Sequence, residues 1–140
     1  MILWVDDDLQ ITLKPFMDEV REDGYELFMV QNPDEMWKIL ETRRTEIDAI
    51  IMDIMLPTGN TVDSAEARMG VITGLLILKK LKQNDDYSSI PVIIFTILSD
   101  QEVMEWAKKN NITYLQKQVT SPLELLSQVN KLNINKDNSF

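Results

Sequence analysis

An α/β three-layer sandwich, built on a five-stranded parallel sheet in the order 2-1-3-4-5, is the fold this sequence predicts. Three observations lead there. Short apolar, partly β-branched runs alternate five times with stretches of helical period, which is the pattern of strand–helix–strand units. The central runs are apolar at nearly every position, as strands buried on both faces are. Right-handed crossovers between parallel neighbours then leave few topologies to choose from.

Each element follows in chain order. Met1 to Val5 reads as a first buried strand and ends in Asp6-Asp7-Asp8. Leu9, Leu13, Phe16, Met17 and Val20 recur at helical spacing, with Asp8 as a candidate N-cap and an end near Gly24. Pro15 falls inside that pattern and must kink the helix or shift its start. Tyr25 to Val30 is a second strand, and Asn32-Pro33-Asp34-Glu35 opens a helix that closes among Arg43 and Arg44, where positive charge suits a C-terminus. Ile47 to Met52 is a third strand, bounded by Asp53 and the turn signal Pro57-Thr58-Gly59-Asn60. The polar stretch from Thr58 to Gly70 reads as a loop or short mobile helix. Val71 to Leu81 restores helical period, interrupted at Gly74. Pro91 to Phe95 is a fourth strand ending at Thr96, and Ser99 with Glu102 resembles a capping box opening a helix through Lys109. Ile112 to Leu115 is a short fifth strand with Lys117 just past it. Ser121-Pro122-Leu123-Glu124 opens the last helix with a second capping box, running to about Leu132. Residues 1–132 therefore form one domain, and 133–140 a flexible polar tail. A flavodoxin-like strand order accommodates all of it most simply.

Composition removes several chemistries. With no Cys there are no disulfides, thiolate nucleophiles or zinc–thiolate sites, and with no His there are no histidine triads, histidine metal ligands or phosphohistidine of the chain's own. A net charge of -9 should repel a phosphate backbone, so direct nucleic-acid binding is not expected. No apolar run approaches the roughly 20 residues that cross a bilayer, and no basic leader precedes one, which makes a cytoplasmic protein the expectation.

What remains is carboxylate chemistry. In open parallel sheets, ligands gather beyond the carboxyl ends of the strands. Those ends carry Asp6 and Asp7, Asp53, Thr96 and Lys117. Each alone has an ordinary explanation, as a cap, a turn residue or a solvated charge. Together they would place three carboxylates, a hydroxyl and an ammonium in one hollow. Closely packed carboxylates repel and call for a cation. All-oxygen ligands select Mg²⁺ or a similar ion such as Mn²⁺. Such a site, with Lys117, suits phosphoryl transfer, and an Asp carboxylate can itself take the phosphoryl group.

At this point the chain resembles a response-regulator receiver domain of two-component signalling. The matching segments are Ile2 to Asp8, Ile51 to Pro57, Pro91 to Thr96, and Tyr114 to Lys117, and the likeness runs over about 2–132. The resemblance implies that Asp53 accepts a phosphoryl group from a sensor histidine kinase or a histidine phosphotransfer protein. Asp7, Asp53 and the Met55 backbone carbonyl would ligate Mg²⁺, with Asp6 acting mainly through a bound water. Thr96 would hydrogen-bond the phosphoryl oxygen, Lys117 would pair with it, and Tyr114 would be an aromatic switch that swings inward as Thr96 moves. A downstream protein effector would read the fourth helix, fifth strand and fifth helix. The domain would thus be a signalling switch rather than an enzyme. Self-dephosphorylation is expected to be slow, because Met55 and Leu98 flank the site with apolar side chains that cannot orient an attacking water and Ile97 could narrow access.

Three departures stand out against that family. The connection from Asp53 to Gly74 is about a dozen residues longer than usual, an extra loop beside the site that could serve as a lid or partner-selecting element. Gln118 follows Lys117 where the family carries a cis proline, and a cis bond before Gln118 would cost about 2.5–4 kcal/mol. Bulky Ile97 follows Thr96, where a small residue is usual, and could narrow access to Asp53. Gln118 and Ile97 suggest a second reading, a receiver-like scaffold that signals without phosphate. A third, an aspartate-nucleophile phosphatase, rests on the Asp-x-Asp within Asp6-Asp7-Asp8 and is weakened by Gln10, where that class usually has Thr or Val.

Overall fold

The computed structural model describes residues 1–8 and 12–136. Leu9 at the start of the first helical pattern, Gln10 of the phosphatase reading, and the 137–140 part of the tail lie outside the described residues. Five parallel strands form one sheet in the order β2-β1-β3-β4-β5. They are β1 (Ile2–Val5), β2 (Leu27–Val30), β3 (Ala49–Met52), β4 (Val92–Thr96) and β5 (Thr113–Gln116). The helices are α1 (Lys14–Glu22), α2 (Pro33–Arg43), α3 (Thr73–Lys82), α4 (Gln101–Lys109) and α5 (Pro122–Lys131).

Side chains alternate across the sheet, so each central strand feeds two cores. Ile2, Trp4, Ala49, Ile51, Ile93 and Phe95 face one side and pack with Leu13, Met17 and Val20 of the α1 region and Leu125 and Val129 of α5. Leu3, Val5, Ile50, Met52 and Ile94 face the other and pack with α2, α3 and α4 through residues such as Met36, Leu40, Leu78 and Val103. β1, β3 and β4 are buried throughout, whereas edge strands β2 and β5 are largely half-buried. That accounts for the continuous apolar runs of the central strands.

Local chemistry sets the helix starts, with two corrections to the sequence reading. The N-cap of α1 is Leu13, with no side-chain cap, so Asp8 does not cap this helix. The helix begins late, at Lys14, and Pro15 falls in its first turn, where no N–H is needed. The cap of α4 is Asp100, whose side chain accepts the Val103 N–H at 3.1 Å, rather than Ser99. Asp100 stands one residue nearer the helix, and a carboxylate is at least as good a cap as a hydroxyl. The capping box of α5 forms as expected between Ser121 and Glu124. Asn32 caps α2 by accepting the Glu35 N–H at 2.9 Å. In the tail, Lys136 Nζ pairs with Asp23 at 2.9 Å and Ile134 packs against the α1–α5 core.

The long connection after β3 contains no helix before Thr73. It is not a free loop. Val62 and Ala67 are buried in the core on the α2–α4 side. Asn60 donates from its backbone and its side chain to Asp34 of α2, both at 3.1 Å, and Lys80 of α3 donates to the Thr61 carbonyl. Arg68, Met69 and Gly70 follow one another at φ 51, 56 and 98°, two of them side-chain-bearing residues in the left-handed region.

Gly74 explains itself structurally. A Cβ there would lie 2.2 Å from the Asp53 carbonyl oxygen and 2.7 Å from Ile54 Cα. The first turn of α3 therefore rests directly on the backbone at Asp53, and the Gly74 N–H donates to the Ile54 carbonyl at 2.9 Å. Only glycine allows that approach. Gly74→Ala is expected to destabilise the protein by about 2–3 kcal/mol through overpacking, despite alanine's better helix propensity, as a fall in the urea midpoint.

Candidate functional site

The sheet delivers its carboxyl ends to one corner. Asp6 follows β1 and Asp53 follows β3, and the two strands are neighbours in register, with Val5 opposite Met52. The Asp53 N–H donates to the Val5 carbonyl at 2.9 Å and the Asp6 N–H to Val30 at 3.0 Å, so the backbone of both acids continues the ladder. Asp6 is fully buried, Asp53 nearly so, and Asp7 is exposed. Carboxylate oxygens of Asp6, Asp7 and Asp53 all lie within 4.8 Å of one another.

Lys117, in the 3-10 turn (117–119) that follows β5, reaches back across the corner. Its Nζ sits 2.7 Å from Asp6 Oδ2 and 3.2 Å from Asp53 Oδ2. The same Nζ lies 6.0 Å from the centre of the Phe95 ring, which meets Trp4 edge-on with 6.2 Å between ring centres. Asp6 Oδ1 accepts the Asp8 N–H at 2.9 Å, and Asp53 Oδ1 accepts the Met55 N–H at 3.2 Å.

Burial, together with the neighbouring Asp53 charge, pushes Asp6 up to about 6, although Lys117 and the Asp8 N–H work the other way. Burial alone would lower Lys117, but the charges of Asp53 and Asp6 outweigh it and hold the ammonium above its ordinary value. The corner therefore holds more negative charge than its one ammonium offsets. The donors are all oxygen, so the group that fits is a hard divalent cation of the Mg²⁺ type.

A cavity of about 480 Å³ opens over this corner, lined among others by Asp7, Asp53, Met55, Lys117, Ile97 and Gln118. Asp6 lies buried against Lys117. Thr96 is buried at the end of β4, where its Oγ1 accepts the Leu98 N–H at 3.2 Å. Tyr114 is half-buried on β5, and its hydroxyl donates to the Leu98 carbonyl. Thr96 and Tyr114 are thus held on the two polar groups of one residue, Leu98. Burial raises the Tyr114 hydroxyl above its ordinary value and keeps it a donor.

The two unusual residues meet. Gln118 Nε2 donates to the Ile97 carbonyl at 3.1 Å, joining the loops after β4 and β5 at the cavity mouth. Among the described residues no peptide bond is cis, so the bond before Gln118 is trans. Neither the bridging role of Leu98 nor the Gln118–Ile97 contact leaves a mark in the residue pattern. Gly74 was detectable in principle, because a glycine inside a helical pattern often marks a close backbone approach.

Comparison with known proteins agrees with this picture. A family model described as the response regulator receiver domain matches residues 2–130. The polar-differentiation response regulator DivK of Brucella anthropi is 27% identical over 117 residues, covering 83% of each protein. The chemotaxis response regulator CheY4 of Vibrio cholerae has a TM-score of 0.68 at 21% identity, over 94% of this chain and 96% of that one. A CheY-like receiver domain protein from Methanospirillum hungatei gives 0.68 at 22% identity, over 94% and 92%. At these identities the structural likeness speaks for the fold.

If burial and crowding of charge set the energetics of the corner, one substitution has opposite effects with and without metal. Asp6→Asn leaves Lys117 paired with Asp53 while removing a buried charge. It is expected to raise the stability of the metal-free protein by about 1–3 kcal/mol in urea unfolding. The same variant should lose most of the stabilisation that added Mg²⁺ gives the wild type, measured as a shift in melting temperature.

Proposed function

The chain belongs to the response regulator receiver domain family, and from that premise we propose that Asp53 is its phosphoacceptor. Receiver domains are signalling domains that bind Mg²⁺ at an acidic cluster and interact with histidine kinases and effectors. The observation that carries the assignment is the placement of Asp53: nearly buried, bonded to Lys117, and grouped with Asp6 and Asp7 at cation-binding distance.

These 140 residues contain no His, so the phosphohistidine would lie outside them, on a kinase or a phosphotransfer protein. An Asp53 carboxylate oxygen attacks phosphorus, the P–N bond to the histidine breaks, and an acyl phosphate forms. Asp7, Asp53 and the Met55 carbonyl would hold a Mg²⁺ ion, with Asp6 behind them, and the ion would supply positive charge to the carboxylates and phosphoryl oxygens. Lys117 exchanges a carboxylate partner for a phosphoryl oxygen, so its charge stays paired throughout. Thr96 turns its hydroxyl from the Leu98 N–H to the phosphoryl group. That frees Leu98, whose carbonyl holds the Tyr114 hydroxyl, and Tyr114 follows. Adding nearly two negative charges biases an equilibrium already present between two arrangements of the α4–β5–α5 face, which a protein effector reads. Ile97, with Gln118 on its carbonyl, restricts water at the cavity mouth, and Met55 offers no group to orient an attacking water.

Incubation with acetyl phosphate and Mg²⁺ should add one phosphoryl group by intact mass, and Asp53→Ala should abolish it. Absence of uptake, with an effector still bound, would favour the scaffold reading. Once formed, the acyl phosphate should outlast seconds at neutral pH with Mg²⁺ present. Ile97→Ala should shorten its lifetime, and a lifetime unchanged by that substitution would remove Ile97 from the account.

A further inference from the structure

The inserted segment touches both ends of the signalling path. At one end, the Leu56 N–H donates to the Gly70 carbonyl at 3.2 Å, and a Cβ on Gly70 would stand 3.0 Å from the Leu56 carbonyl oxygen. This fixes the backbone immediately after Met55. At the other end, Arg68 Nη1 donates to Asp100 Oδ2 at 2.9 Å and Nη2 to Glu102. Asp100 is the N-cap of α4, and its second oxygen holds the Val103 N–H. Lys79 of α3 lies 3.9 Å from the same Glu102. Between segment and acidic corner lies a cavity of about 470 Å³, whose walls include Asp7, Met55 and Leu56 on one side and Ser64, Met69 and Gly70 on the other.

From this arrangement we infer that Arg68 is a positioning residue: through the inserted segment it couples the Met55–Leu56 backbone beside the acidic site to the cap of α4. The inference rests on the reading of Asp53 and its cation site given above. An isolated exposed ion pair would contribute little. Three features set Arg68 apart. Its guanidinium engages two carboxylates at once, which a planar fork can do and a point charge cannot. One of those carboxylates simultaneously caps a helix, so displacing Arg68 disturbs the first turn of α4. Arg68 and Met69 also hold left-handed backbone, a conformation that persists for such residues only where the surroundings impose it. Met69 alone separates Arg68 from Gly70, which leaves little slack between the α4 cap and Leu56. The route does not pass through Thr96, Leu98 or Tyr114.

Arg68→Asn removes the fork while keeping a side chain that tolerates left-handed backbone, and Glu102→Gln weakens the same contact from the opposite side. Amide hydrogen exchange on the full-length, metal-free chain is the first measurement. The Val103 and Leu56 amides should both exchange roughly two- to tenfold faster in Arg68→Asn, with a smaller change in Glu102→Gln. Faster exchange at Val103 alone, with Leu56 as in the wild type, would reduce Arg68 to a local contact and overturn the coupling. The second measurement is the rate of phosphoryl uptake against Mg²⁺ concentration. Half-saturation should move several-fold to higher Mg²⁺ in Arg68→Asn at an unchanged plateau rate, with Arg68→Lys between the two. An unmoved half-saturation would also overturn the inference. Exchange is read without metal or phosphoryl donor, so it tests the coupling even if Asp53 takes no phosphate.

Discussion

Two carboxylates buried side by side require a cation, and the rest of the molecule is arranged around the one its own chain supplies. Lys117 reaches from the far end of β5 across β4 to Asp6 and Asp53. Burying an unpaired charge is strongly unfavourable, and a shared ammonium makes the pair tolerable without neutralising it. The remaining negative charge is what fits the corner for a divalent cation. That balance demands neighbouring strand ends in fixed register, hence continuous apolar strands buried on both faces. α3 rests on the Asp53 backbone, hence Gly74. The chemistry at the rim and the apolarity of the core are the same constraint seen from two sides.

On the proposed reading of Asp53, charge added at this corner would have two ways outward. One is short: Thr96 and Tyr114 share the peptide groups of Leu98, so a change in one hydroxyl is felt by the other. The second follows the inserted segment from Leu56 and Gly70 to Arg68 and the cap of α4. The first ends on Tyr114 of β5 and the second on the Asp100 cap of α4. Two such links would both bias a switching equilibrium, because each would contribute its own differential contacts to the two states.

Much of this was legible in the residues. Strand order, the convergence of Asp6, Asp7, Asp53 and Lys117, and the caps at Asn32 and Ser121 follow from periodicity and local chemistry, which a single sequence carries. Asp8 was misassigned because the helix begins late, at Lys14, with Leu13 at its N-cap and no side-chain cap. Ser99 was misassigned because Asp100 beside it is an equally acceptable acceptor. Which one caps depends on where the helix axis is placed by packing against the sheet. The inserted segment was the least legible. Its polarity suggested a loop or short mobile helix, yet two small apolar residues, Val62 and Ala67, anchor it. Besides its internal hydrogen bonds and the Leu56–Gly70 bond, it has side-chain ties to Asp34, Lys80, Asp100 and Glu102. Partners so distant along the chain leave no periodic trace.

Those same partners decide how the segment could be moved between proteins. The extra length is not a self-sufficient module, because its shape is held by side chains that α2, α3 and α4 lend it. Grafting it alone onto another scaffold would transplant a left-handed turn with its internal hydrogen bonds but without the outside residues that brace it. The transferable unit is the insert plus its four borrowed anchors, a discontinuous set that only a recipient of the same helix geometry can accept.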